Sequence, residues 1–73
     1  MDEQRIKEQL LVSNPEFRRL HDEHRRHESR LVEMAAKPFL NPDELVHEKE
    51  LKKLKLVLKD KMALMISAYG KSL

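Results

Sequence analysis

The sequence contains no cysteine and no tryptophan, a single glycine, and aromatic side chains at only 4% of its 73 positions. Without cysteine, no disulfide or thiolate zinc site can support the fold, and the absence fits a reducing compartment. With Gly70 as the one glycine, no glycine-rich loop can cradle a phosphate. Long apolar runs are missing too. The longest stretch free of charge, Met62 to Gly70, has about half the length that a bilayer-spanning helix needs. The first residues include Asp2, Glu3, Arg5 and Lys7, with no apolar signal core behind them. We therefore expect a soluble, unexported, cytoplasmic chain. Nor is there an excess of one charge. Fifteen Lys and Arg face thirteen Asp and Glu, for a net charge of +2, whereas nucleic-acid-binding domains usually carry a larger or more segregated surplus.

What the chain has instead is charge of both signs, 38% of all residues. That is the composition of long, solvated helices. A chain of 73 residues is one domain at most, here residues 1–73, and it buries only about 60% of its unfolded surface.

Two Asn-Pro steps, Asn14-Pro15 and Asn41-Pro42, mark helix starts. Proline at the first helical position wastes no hydrogen bond, and the residue before it is pushed out of the α region, which suits an N-cap. Asn caps well, and Glu44 three residues after Asn41 makes a capping box. Ser13 with Glu16 is a rival cap for the earlier start. From Pro15 onward, Phe17, Leu20, His24, His27, Leu31 and Met34 recur at alternating spacings of three and four, a heptad seam. After Asn41 the matching line is Leu51, Leu54, Leu58, Met62, Met65 and Tyr69, with Gly70 as a C-terminal stop. The connection around Pro38 is short, and short connections give antiparallel neighbours.

The expected fold class is all-α: an antiparallel, coiled-coil-like hairpin of helices over 15–37 and 42–69. A short N-terminal helix over about 2–12 precedes it. The second hairpin helix outruns the first by roughly 9 Å. Ile6, Leu10 and Leu11 would lie over that overhang, Met62 to Tyr69. A register counted from the connection sets Leu20 opposite Leu58, Phe17 opposite Met62, and His24 opposite Lys55 or Leu54. Lys55 would then sit at the seam's margin, its stem buried and its ammonium in water, with Asp60 one turn on.

The last helix is apolar over more of its surface than one partner can cover. Val46, Val57, Leu64 and Ala68 form a second stripe, and Leu56 points away from the seam altogether. We take Val46, Val57, Leu64 and Leu56 as a candidate interaction face for a second copy or a protein partner. Crossed Glu50–Lys53 contacts between copies could set a register. Arg18, Arg19, Arg25 and Arg26 form a candidate basic face, joined by Lys52, Lys53 and Lys59, and a basic stripe can follow phosphates. Against that, Arg18–Asp22, Asp22–Arg26 and Glu48–Lys52 stand at i, i+4 spacing, as on any solvated helix. No aromatic residues interleave to stack bases.

His21, His24 and His27 recur every third residue, but zinc sites on helices favour i, i+4 pairs with further ligands. We read His24 and His27 as half-buried seam residues bonded to a carboxylate or to backbone across the hairpin, and as sensitive to pH. No nucleophile–base set exists, and a two-layer hairpin has no room for a cleft. The expectation is therefore no enzyme, no cofactor, no metal and no small-molecule substrate. The leading function is a non-enzymatic interaction module. An RNA- or ribosome-associated basic protein is the alternative.

The string Leu51-Lys52-Lys53-Leu54-Lys55-Leu56-Val57-Leu58-Lys59-Asp60-Lys61-Met62 resembles the signature of the YdcH family of small bacterial proteins, a domain of unknown function. That signature looks like L-K-K-x-K-L-x-L-K-D-E followed by a hydrophobic residue. Asn14-Pro15-Glu16-Phe17 is similar to the family's N-P-x-F start, and His24 with Glu28 and Leu31 to its H-x-x-L-D-x-x-I stretch. His27, Glu28 and Lys61 depart from the family's leucine, aspartate and glutamate. The resemblance implies a helical hairpin in a bacterial cytoplasm and implies no activity.

Overall fold

The computed structural model describes residues 2–72. Three α-helices make it up: α1 (Glu3–Ser13), α2 (Pro15–Ala35) and α3 (Pro42–Ser72). Among the described residues there is no strand.

Each helix begins on a short polar side chain that accepts an orphan backbone N–H. Asp2 Oδ1 accepts from Arg5 N at 2.9 Å, and Asn14 Oδ1 from Phe17 N at 3.1 Å. At α3 the capping box is complete. Asn41 Oδ1 accepts from Glu44 N at 2.8 Å, and Glu44 Oε1 accepts from Asn41 N at 3.2 Å. Ser13 does not cap; its hydroxyl donates to the Gln9 carbonyl inside α1. Asn14 lies in extended backbone, φ −120° and ψ 105°, and so separates α1 from α2.

The C-terminal ends differ from the sequence reading. α2 stops at Ala35, short of Lys37, because Pro38 disfavours helical backbone at the residue before it. α3 runs through Gly70 to Ser72 and does not stop at it. A glycine stop requires left-handed backbone, and no described residue has positive φ. With 31 residues, α3 is about 46 Å long and accounts for the molecule's 48 Å longest dimension.

The main buried cluster joins all three helices: Ile6 and Leu10 from α1, Phe17 and Leu20 from α2, Leu58 and Met62 from α3. Leu11, Met65, Ile66 and Tyr69 pack around it. α1 thus covers the C-terminal part of α3, where the Tyr69 hydroxyl donates to Gln9 Oε1 at 2.8 Å. Met34 and Leu51 are buried as well, outside this cluster. Between the two ends the α2 seam is His24, His27 and Leu31, all half-buried.

Leu54 is not in the seam: it is 47% exposed. Leu51, Leu58 and Met62 lie on one line of a 3.6-residue helix, and Leu54 is turned about 60° off it. The heptad spacing that put Leu54 in the seam assumed a tighter supercoil than this helix follows.

Candidate interaction surfaces

Val46, Val57 and Leu64 are 57%, 49% and 71% exposed. They fall within about 20° of one another on α3, roughly 130° round the axis from the buried line. Leu56, 60% exposed, belongs to a different strip about 90° away. There it lies in a shallow depression with Lys52, Lys55 and Lys59, so the four residues of the candidate face divide into an apolar row and one leucine within a basic margin. Charges flank the row. Glu50, Lys53, Asp60 and Lys61 are exposed, and among the described residues none has an oppositely charged group within 4.0 Å.

The four arginines of α2 lie on two lines. Arg18 and Arg25 share one, Arg19 and Arg26 the other, about 100° apart. Arg19 is bound to Glu16 at 2.7 Å and approaches Glu23 at 3.5 Å. Its hydrogen bond holds the Glu16 carboxyl below its ordinary pKa, with a smaller pull from Lys61 of α3. The expected Arg18–Asp22 and Asp22–Arg26 pairs do not form. Asp22 is closest to His21 Nδ1, at 3.8 Å. Exposed pairs gain too little to hold two long side chains in one geometry. Glu48–Lys52 forms, at 3.6 Å. Lys37 pairs with Glu44 across the connection, and that contact with the Asn41 N–H lowers the Glu44 pKa.

The histidines have weaker partners than expected. His24 Nδ1 is 4.0 Å from Glu28 Oε2 and His27 Nε2 is 3.8 Å from Glu23 Oε1, both beyond hydrogen-bond range and both on α2 itself. The Nε2 atoms of His24 and His27 are buried without a hydrogen-bond partner. Burial lowers the His24 pKa. Glu28 opposes that shift, while Lys55 and Lys59 of α3 and His21 add to it. Lys55 faces Glu28 at 4.0 Å, not Asp60. Among the described residues, no group of three or more His, Cys, Asp or Glu could hold a metal ion, and no helix is long and apolar enough to cross a membrane.

Sequence reasoning passed over Val12, Val32 and Phe39, which are all largely exposed. Phe39 follows Pro38 in the connection, and a side chain there has no helix face to carry it inward.

Fold and surface together describe a small three-helix protein with open apolar and basic strips. The chain belongs to the family described as a protein of unknown function (DUF465), the YdcH-type small bacterial domain, which it matches over residues 17–66. That span takes in the seam, the basic strip and the apolar row, and leaves out α1. Neither a curated protein nor a solved structure matches it.

Proposed function

We propose that the chain is a non-enzymatic interaction module of the bacterial cytoplasm. In this reading α2 and α3 form an antiparallel, coiled-coil-like hairpin, and the outer row of α3 docks on another protein surface. The hairpin reading is supported by contacts in which one residue number falls as the other rises: Lys37 with Glu44, then Glu28 with Lys55. The docking reading rests on one observation, the exposed row Val46, Val57 and Leu64. The three side chains are aligned along about 27 Å of one helix face between exposed charges, and apolar side chains rimmed by polar ones mark interaction surfaces.

Affinity capture from the native lysate tests it, with wild type beside Val57→Glu/Leu64→Glu. Capture lost in the variant at unchanged helix content supports the reading, and capture unaffected by it removes the row from consideration. The second reading, RNA association, is favoured by Arg18, Arg25 and Arg26, which have no carboxylate within 4.0 Å among the described residues. It predicts capture that is abolished by nuclease and weakens steeply with salt, unlike apolar docking.

A further inference from the structure

We infer that the occupant of the α3 row is a second copy of this chain, laid antiparallel along it about a two-fold axis between Lys55 and Leu56. The inference rests on the docking reading above and names its partner.

Charge is unevenly distributed along α3. From Pro42 to Glu50 the helix carries four acids, Asp43, Glu44, Glu48 and Glu50, against Lys49 alone. From Leu51 to Ser72 it carries six lysines against Asp60 alone. A parallel pair would set acid on acid and lysine on lysine. An antiparallel pair takes each acidic end off its like and lays it along the partner's Lys61 and the uncharged stretch Met62 to Gly70 that follows.

The apolar row fixes the register. With Val46 on the partner's Leu64, Leu54 meets the partner's Val57, and two-fold symmetry repeats each contact. This register covers the exposed Leu54 that the seam leaves out. On the same flank, Glu50 faces the partner's Lys61. On the other flank Lys53 faces the partner's Asp60. These are the four charged groups found exposed and unpaired around the row. The Glu50–Lys53 pairing expected from the sequence does not fit, because those residues lie on opposite flanks of the row. Lys61 also lies near Glu16 of α2 and is shared between the two carboxylates. The face is self-complementary, as a two-fold interface requires.

The test is sedimentation equilibrium of the full chain up to about 1 mM, the concentration at which a weak dimer is populated. Wild type should dimerise. Glu50→Lys and Lys61→Glu should each weaken the dimer about tenfold, because each places like charges together twice. Mixing the two variants in equal amounts should restore a dimer of wild-type strength, since every Glu50–Lys61 site then holds one acid and one lysine. The double variant should self-associate like wild type. Far-UV circular dichroism confirms that helix content is kept.

A monomer at 1 mM overturns the second copy and leaves the lysate capture to judge the docking reading. A dimer whose two single variants fail to rescue each other overturns the register. A dimer that survives Val57→Glu/Leu64→Glu overturns the face, and with it the docking reading.

Discussion

Leu58 and Leu56 stand two positions apart on α3, one buried and the other open to solvent, so they calibrate the helix phase. Leu58→Ala leaves a cavity beside Phe17, Leu20 and Met62 and should cost about 2–4 kcal/mol. Leu56→Ala should cost about 0.5 kcal/mol. Urea denaturation of both at low protein concentration checks this, and equal losses would refute the phase. Gly70 offers a test of opposite sign. It lies inside α3, and a Cβ there would meet Ile6 Cδ1 at 3.4 Å, ordinary contact. Gly70→Ala should therefore stabilise by about 0.5–1 kcal/mol, because alanine loses less backbone freedom. A destabilised variant would mean that Gly70 terminates the helix after all. His24 supplies the pH dependence. Its folded pKa lies below the ordinary value because of burial, with Lys55, Lys59 and His21 acting the same way and Glu28 against them. A depressed histidine pKa means that the unfolded chain takes up the proton first. Stability present above the unfolded value of about 6.5 is therefore lost as pH falls from there toward the folded value. The melting temperature should drop between pH 7.5 and pH 5, and His24→Leu should flatten that drop. Identical pH profiles for variant and wild type would exclude His24 as the source.

Where elements begin was legible in the sequence, and where they end was not. Asn14 and Asn41 cap as read, because an N-cap is local chemistry: a side-chain acceptor, a proline and three backbone N–H groups. The end of α3 was not local. Gly70 reads as a stop, yet the helix runs through it, with Ile6 of α1 packed against these last turns. The same limit applies to the candidate surface. Val46, Val57 and Leu64 could be placed on one strip by counting, but Leu54 joins the open side only because the helix keeps its ordinary period. Which carboxylates the histidines approach was not legible either, since rotamers and neighbouring cations decide it. The start of α3 is held by its own side chains. Asn41 and Glu44 exchange two hydrogen bonds, and Glu44 also holds Lys37 across the connection. Asn41→Ala should cost about 1 kcal/mol, as N-cap removal typically does. Hydrogen exchange should accelerate first at Glu44, whose N–H loses the Asn41 Oδ1 acceptor, and leave the Leu58 amide unchanged. Uniform acceleration along α3 would count against a local role for the cap.

Across the whole molecule, stability is concentrated at one end. Buried residues from all three helices meet at Phe17, six in all, while toward the connection the seam passes two half-buried histidines and Leu31 before it reaches the buried Met34 and Leu51. A chain of 73 residues has roughly 4–11 kcal/mol of folding free energy in total, so one large truncation at the dense end removes much of it. Ile6 is the position to choose. It lies outside the span shared with the family, yet it contacts both the core cluster and the last turns of α3. Ile6→Ala should cost about 2–4 kcal/mol. Its effect should also be spatially distinct. α1 is 11 residues long, below the length at which an isolated helix holds in water, so loss of its anchor should release it as a unit. Release of α1 uncovers Met65, Ile66 and Tyr69 and removes the Gln9 contact to the Tyr69 hydroxyl. Amide exchange in the variant should therefore quicken in α1 and from Ile66 onward, while Leu51 to Leu58 stay protected by α2. If Ile66 to Ser72 exchange as slowly as in wild type, the last turns of α3 stand without α1, and its packing there only covers a surface that is already formed.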